Sequence, residues 1–189
     1  MNIDEIIDGI YLFPQTSKDM LLASFSEVEY PKRFRLLRED RKGAKSYFIR
    51  KGIVRSYAHK QAKEVTFWFG KEGDIISPLQ TLYTDRGEYG CVELLEDSVL
   101  YELNLDRLQE LYLRDIHIAN WGRRYAEYSC IKSEKQYISR QFKTSAERYR
   151  ELIDECPDIT QRVRLSVIAS YLGISQVCLS RIRASKQRI

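Results

Sequence analysis

The sequence predicts an α+β fold in three consecutive parts: an N-terminal antiparallel β-roll, one long helix and a C-terminal group of short helices. Short runs rich in β-branched and aromatic residues fill residues 34–103, and turn signals such as Lys51-Gly52 and Glu96-Asp97 separate them. From Asp106 onward, apolar residues recur at the three- and four-residue steps that are typical of helices. With 43% hydrophobic residues in a chain of 189, there is enough apolar material for a sizeable core.

The predicted N-terminal domain, residues 1–115, contains a short helix and a series of strands. Residues 17–30 carry apolar side chains at mixed three- and four-residue steps, which predicts the helix. The strands are predicted at residues 46–50, 53–57, 64–69, 90–95 and 98–103. Strands of this length with short turns between them favour an antiparallel barrel or sandwich.

Metal and cofactor chemistry has little support in the composition. Four cysteines lie singly along the chain, and the two histidines, His59 and His117, are far apart. The chain therefore lacks both the paired ligand spacing of a zinc site and the histidine cluster of a metal-dependent enzyme of the cupin kind, which is the enzymatic alternative. We predict no metal site, no cofactor and no catalytic residue, and we expect the thiols to be buried or inert.

One long helix is predicted over residues 116–142, with a length of about 40 Å at 1.5 Å per residue. Its apolar stripe is too long for a small roll to cover, and we predict that a second copy of the helix covers it in a two-fold homodimer. The predicted dimer interface consists of Trp121, Tyr125, Tyr128 and Ile131. The alternative is that the stripe packs against the chain's own domains.

The predicted C-terminal domain, residues 143–189, opens with the spacing of a capping box. Thr144 can accept from the Glu147 amide while the Glu147 carboxylate reaches back to the start of the helix. This helix is predicted to stop before Pro157, which cannot donate a helical hydrogen bond.

Residues 163–183 have the pattern of a helix, a tight turn and a second helix. Ala169 is small where two helices would cross closely, and Gly173 allows the positive φ of a sharp turn. Ser166 and Ser175 are the expected caps of the two helices. A helix-turn-helix of this kind places its second helix in the major groove of DNA. A helical hairpin that packs in this form by chance is the alternative.

The charge distribution favours double-stranded DNA as the partner of this segment. From residue 123 onward there are 14 Lys and Arg against 7 Asp and Glu, and after Asp158 there are six basic residues and no acidic one. Such a surface suits phosphate groups, although a solvated basic face has the same composition. Arg181 is expected to pair with guanine and Gln176 with adenine, since these side chains match those base edges. The predicted DNA contacts are Ser175, Gln176, Val177, Ser180, Arg181 and Arg183.

With these motifs in place, the chain resembles the cyclic-AMP receptor protein (Crp/Fnr) family of bacterial transcription regulators. Residues 47–57, 64–69 and 72–74 look like the family's β-roll, and residues 92–100 look like its closing strands. The resemblance implies a cyclic-nucleotide-binding-like jelly roll at 1–115, a dimerisation helix and a DNA-binding motif. It also implies a homodimer on a near-palindromic promoter site, a small-molecule effector of unknown identity, and RNA polymerase as a further partner.

The region that would hold the effector departs from the family pattern. Where members that bind cyclic nucleotide carry Gly-Glu and Arg-Ser, this chain has Ser77-Pro78 and Glu88-Tyr89. A carboxylate in place of the guanidinium reverses the sign of the interaction with a phosphate. We therefore predict a degenerate effector pocket that does not respond to cyclic AMP, with Arg86 as the one cation close enough to rescue an anion site after a local shift. The absence of cysteines before Cys91 excludes the iron–sulfur branch.

The first residues are acidic where a signal peptide would be basic, and no long apolar run occurs. We expect a cytoplasmic protein without a membrane partner. The main alternative function is a small-ligand-binding β-roll module whose C-terminal helices make protein contacts instead of DNA contacts.

Overall fold

A computed structural model describes residues 1–61, 63–84 and 86–186 of the protein. The N-terminal part contains, in chain order, α1 (Ile3–Asp8), α2 (Gln15–Leu22), β1 (Phe25–Tyr30), β2 (Arg35–Leu37), β3 (Lys45–Lys51), β4 (Val54–Lys60), β5 (Lys63–Gly70), β6 (Ile75–Ile76), α3 (Leu79–Tyr83), β7 (Cys91–Leu94), β8 (Ser98–Asn104) and α4 (Leu105–Arg114). It is followed by α5 (Ile116–Phe142), α6 (Ser145–Glu155), α7 (Ile159–Arg162), α8 (Leu165–Leu172) and α9 (Gln176–Lys186).

The strands form two antiparallel sheets with the orders β1-β8-β3-β6 and β2-β7-β4-β5. The two sheets each bury one face in a shared core. That core contains Ile49 and Leu100 from the first sheet and Val54 and Leu94 from the second, all fully buried. The arrangement is an antiparallel jelly roll followed by a long helix and short C-terminal helices, and it confirms the predicted α+β fold class.

The prediction of a helix over residues 17–30 is wrong for the second half of that range. A helix occupies Gln15–Leu22, but Phe25–Tyr30 is strand β1, paired with β8 in the register Phe25↔Leu103. Alternate side chains of this strand face the core, with Val28 half-buried and Glu27 exposed. A period of two fits a strand at the edge of a sheet, and pairing with β8 outweighs the local helical signal.

Helix α5 confirms the prediction of one helix from Ile116 to Phe142. Asp115 caps its start by accepting from the His117 and Ile118 amides at 2.8 and 3.0 Å. The first two turns then enter the N-terminal core, where Trp121 is only 1% exposed and its indole nitrogen donates to the Ile7 carbonyl.

The placement of Trp121 in a dimer interface is therefore wrong, because the chain's own core already covers it. Its ring stacks on Phe48 of β3 and on Tyr125, with ring centroids 6.0 Å apart in both pairs. Tyr125 is also partly buried, and its hydroxyl donates to the Ile75 carbonyl. For these two residues the alternative of packing within the chain holds.

A second core holds the C-terminal helices together and joins them to the roll. Tyr149, Leu152 and Ile168 pack in this core with Ile53 of the roll. The capping box at Thr144 is present as predicted, and α6 ends at Glu155, before Pro157.

Among the described residues, no single helix combines the length and apolar composition needed to span a membrane. The helix pair Leu165–Leu172 and Gln176–Ala184 has that length and composition only when the two helices are taken together, and the pair is bent by 97°.

Candidate nucleic-acid interface and effector region

Helices α8 and α9 form the predicted helix-turn-helix. Their axes differ by 97°, within the range usual for this motif. Gly173 ends α8 in the left-handed region, with φ of 68°, and the Ile174 amide returns to the Ala169 carbonyl at 3.1 Å. A glycine at this position avoids the steric cost that a Cβ would impose at positive φ. The turn therefore has the geometry that its sequence predicts.

Two serines near the turn have different roles. Ser175 accepts from the Cys178 amide at 3.2 Å and so caps α9 as predicted. Helix α8 instead starts one residue before Ser166, after Arg164, and has no side-chain cap. The prediction that Ser166 caps α8 is thus wrong.

The second helix presents its predicted contact residues to solvent. Leu179 is completely buried and Ile182 packs beside it, which fixes the inner face of α9. The opposite face is therefore free to meet a partner. The predicted DNA contacts Ser175, Gln176, Val177, Ser180 and Arg181 are exposed, and Arg183 is half-buried.

Helix α8 is docked on β5, the edge strand of the second sheet. The Ser170 hydroxyl accepts from the Thr66 amide and donates to the Glu64 carbonyl, both at 3.0 Å. Helix α5 contacts the same strand, since Gln136 and Arg140 both donate to the Phe67 carbonyl. Backbone groups of an edge strand lack a strand partner, and these side chains satisfy three of them. The roll thereby holds the first helix of the motif in place.

Arg162 forms a second connection between the C-terminal helices and the roll. Its guanidinium donates to Glu72 at 2.6 Å, to Glu96 at 2.5 Å and to Asp158 at 3.1 Å. We call these four residues the Arg162 cluster. The hydrogen bonds that Arg162 donates to Glu96 and Glu72 raise the pKa of Arg162 above its ordinary value. Burial opposes ionisation of Glu72, but the bonds from Arg162 and from the Gly52 amide outweigh it and hold the pKa of Glu72 below its ordinary value.

The Arg162 cluster changes the interpretation of the basic C-terminal segment. Arg162 is one of the six basic residues after Asp158, but its charge is directed to carboxylates of the roll and not to solvent. Sequence reasoning missed this role, as well as that of Ser170, because their partners lie far away in the chain. The acidic pair on the roll gave no local signal for a pairing 66 and 90 residues away.

A cavity of about 220 Å³ lies where β5 meets the turn of the motif. Of the described residues that line it, Arg140 and Arg148 are charged, and Thr66 and Gly173 also contribute. Two buried polar atoms of lining residues, Thr66 Oγ1 and Arg148 Nε, have no hydrogen-bond partner in the described structure. Buried polar groups are normally paired, so these two atoms are exceptions among the described residues.

Only some residues of the predicted effector pocket lie at the short helix α3. Pro78 is buried at the start of α3, and the Ser77 hydroxyl is 3.0 Å from that of Ser46. Glu88 accepts from the Thr81 amide at 3.0 Å and from its hydroxyl at 2.6 Å. The Glu88 carboxylate is thus used within the chain to hold α3.

Two other predicted pocket residues face outward: Arg86 is exposed, and Tyr89 is 77% exposed. The structure therefore brings Ser77, Pro78 and Glu88 to α3 and leaves these two at the surface. That the pocket does not respond to cyclic AMP stays a prediction.

The remaining predicted interface residues lie on the exposed half of α5. Tyr128 is 54% exposed and Ile131 is 62% exposed. Two further apolar residues, Ile138 and Phe142, continue the same face at steps of seven and eleven residues from Ile131. We call Tyr128, Ile131, Ile138 and Phe142 the α5 stripe.

The cysteines divide into two groups, since Cys91 and Cys156 are buried while Cys130 and Cys178 are exposed. Burial, together with the nearby Asp158, raises the pKa of Cys156 to about 11, so its thiol stays protonated. Within the described ranges, no group of three or more His, Cys, Asp or Glu side chains has the geometry of a metal site.

Comparisons with known proteins agree with this architecture. The family described as "Cyclic nucleotide-binding domain" matches residues 27–115. No curated protein sequence matches the chain significantly.

Among solved structures, FixK2 from Bradyrhizobium japonicum is similar with a TM-score of 0.72 and 19% identity, covering 87% of this chain and 85% of that one. The c-di-GMP-responsive global regulator CLP from Xanthomonas campestris has a TM-score of 0.66 and 15% identity, with coverage of 93% and 92%. The catabolite activator protein from Thermus thermophilus has a TM-score of 0.58 and 17% identity, with coverage of 95% and 86%. The chain thus shares the fold of these proteins over most of its length, and residues 27–115 match the family model of that domain.

Proposed function

We propose that this protein is a transcription regulator of the Crp/Fnr type that binds double-stranded DNA as a homodimer. The observation that carries the proposal is the exposed outer face of α9 beyond a well-formed turn at Gly173. A helix that is anchored on one side by Leu179 and open on the other is suited to the major groove. The likeness to FixK2, CLP and the catabolite activator protein supports the same function.

In this mechanism the outer face of α9 reads the base edges. Arg181 carries a planar guanidinium that fits the two acceptors of guanine, and Gln176 can bond to adenine in the same bidentate way. Val177, 62% exposed, can contact a thymine methyl group. Ser175, Ser180 and Arg183 would contact phosphates and fix the position of the helix on the duplex.

Dimerisation would be mediated by the α5 stripe. Four large apolar side chains on one helix face are costly to leave in water, and a second copy of the same face covers them symmetrically. A two-fold dimer would present two α9 helices to two half-sites about one helical turn apart. RNA polymerase is the partner that such a regulator would then recruit or block.

An effector would act where the roll meets the motif. Ser170 and the Arg162 cluster join α8 and α7 to the roll, so a molecule that alters these contacts alters the position of α9. The cavity beside Arg140 and Arg148 is one place for such a molecule. Cyclic AMP is not the effector that we propose, because Glu88 offers a carboxylate where a phosphate would need a cation.

The test is selection of random duplexes by the purified protein, followed by affinity measurements on the selected site. Arg181→Ala should weaken specific binding by about 1–3 kcal/mol, since it removes a bidentate base contact. Arg107→Ala is the control, because Arg107 is also exposed but lies on α4, where it pairs with Glu110. Its DNA affinity should stay within twofold of that of the unsubstituted protein.

Two exposed cysteines provide a second readout on the unsubstituted protein. Cys178 lies on α9 and Cys130 on α5. Bound DNA should slow maleimide labelling of Cys178 and leave the labelling of Cys130 unchanged, as measured by mass spectrometry. Equal DNA affinity of Arg181→Ala and the unsubstituted protein, with no protection of Cys178, would instead favour a ligand-binding module whose C-terminal helices make protein contacts.

A further inference from the structure

A strongly basic loop lies on the roll, in a part of the chain remote in sequence from α9. Residues 32–45 contain seven Lys and Arg and two Asp and Glu, a net charge of +5, although residues 1–122 together are net acidic. Strand β2 and the turn after it line a cavity of about 140 Å³ with Arg35, Leu36, Leu37, Arg38, Arg41, Lys42 and Gly43. We use the name basic loop below for the four cationic residues that line this cavity, Arg35, Arg38, Arg41 and Lys42. One water occupies about 30 Å³, so the cavity has room for an oxyanion the size of a phosphate group.

Carboxylates do not neutralise the arginines of this loop. Arg35, Arg38 and Arg41 are exposed, and none of them forms an ion pair with a carboxylate in the described parts of the chain. The Glu39 carboxylate is bound to His59 Nδ1 at 2.7 Å. Like charges around one cavity repel each other, and an anion between them would remove that cost.

Two further acids lie near the loop, and neither occupies the cavity lining. Glu88 is engaged by Thr81, and Asp40 is exposed within the loop itself. The described residues that line the cavity thus include Arg35, Arg38 and Arg41 and no carboxylate.

The backbone holds the loop in a fixed shape. Asp40 adopts a φ of 59°, and the Arg41 amide closes the turn by donating to the Arg38 carbonyl at 3.2 Å. The Asp40 amide donates to the Glu88 carbonyl at 3.0 Å, and the Glu88 amide donates to the Arg41 carbonyl at 3.2 Å. The Gly43 amide donates to Thr81 Oγ1 at 3.1 Å. Because the backbone of the loop is already fixed before a ligand arrives, binding costs the loop less conformational entropy.

We propose that the basic loop is a binding site for a small phosphate-bearing anion. Guanidinium groups bind phosphate oxygens through paired, charge-assisted hydrogen bonds, and Arg38 and Arg41 lie on the same turn. The bonds from the loop to Glu88 and Thr81 connect this site to α3, so an occupied site would stabilise the segment around α3. The inference does not depend on DNA binding by α9.

The test is calorimetric titration of the full chain with pyrophosphate at constant ionic strength. Saturable binding is expected, and the double substitution Arg38→Gln/Arg41→Gln should weaken it at least tenfold. Arg107→Gln/Arg114→Gln is the matched control, since it removes the same charge from exposed positions on α4. The control should change the affinity less than twofold. All four arginines are exposed, and thermal unfolding of each variant verifies that it is folded.

The absence of saturable binding would overturn the proposal, as would an equal loss of affinity in both double variants, which would reveal a response to net charge alone. A parallel titration with the selected DNA separates this site from α9. Arg181→Ala should lose DNA affinity and keep pyrophosphate affinity, while Arg38→Gln/Arg41→Gln should do the reverse. Loss of DNA affinity without any effect on pyrophosphate would assign the loop to DNA and contradict a small-ligand site.

Discussion

The two halves of α5 have similar apolar residues and different surroundings. Trp121 in the first half is buried among Phe48 and other residues of the roll core. In the second half, Tyr128 and Ile131 are exposed, and the helix contacts the roll through polar bonds from Gln136 and Arg140. One face of a single helix can thus pack in the chain's own core over its first turns and stay exposed, and available to a partner, over the later turns.

The largest expected effect tests the buried half. Trp121→Ala should reduce the free energy of unfolding by about 3–5 kcal/mol, because it removes a buried aromatic side chain and leaves a cavity. Chemical denaturation at several protein concentrations measures the loss, which should not vary with concentration.

Tyr128→Ala is the control from the exposed half of the same helix. Its effect on a monomer should be below about 1 kcal/mol, and any larger loss should grow with protein concentration, since it would come from the dimer. A concentration-independent loss equal to that of Trp121→Ala would remove the distinction between the two halves.

The next effect concerns the polar connection between the roll and the C-terminal helices. Arg162→Gln should cost about 2 kcal/mol at neutral pH, as it leaves Glu72 and Glu96 without their charged partner. Arg164→Gln, an exposed neighbour, should change the free energy of unfolding by less than about 0.5 kcal/mol.

The pH dependence of the same variants sharpens this test. The folded-state pKa of Glu72 lies below the ordinary 4.5, so its contribution is complete above that value and is lost as the pH falls through the folded-state pKa. Urea unfolding at neutral and acidic pH should therefore give a smaller difference between the native protein and Arg162→Gln in acid. A difference that is unchanged in acid would contradict the role of the ionised Glu72.

The smallest of these effects is on self-association through the α5 stripe. Ile131→Glu should weaken dimerisation at least tenfold, about 1.4 kcal/mol, because it places a charge within an apolar contact. Ser133→Glu introduces the same charge at an exposed position on another side of the helix and should leave the dimer intact. Sedimentation velocity measures both, and equal behaviour of the two variants would exclude the stripe as the interface.

The sequence by itself determined the elements whose signals are local. Short runs rich in β-branched and aromatic residues predicted the strands of the roll, the capping box at Thr144 predicted the start of α6, and Gly173 with Ser175 predicted the turn before α9. These signals work because hydrogen bonds of caps and turns connect residues only a few positions apart. The extent of α5, Ile116–Phe142, was likewise readable from its helical periodicity, although a polar stretch at residues 132–135 interrupts the apolar pattern.

Only the tertiary structure decided which surfaces meet. Periodicity could not distinguish Trp121 from Ile131, because a stripe records which residues are apolar and not what covers them. It could not show that Arg162 faces Glu72 and Glu96, nor that arginines of β2 and of the turn after it line a cavity. Contacts between residues far apart in the chain depend on how the sheets and helices pack, and the local pattern contains no information about that packing.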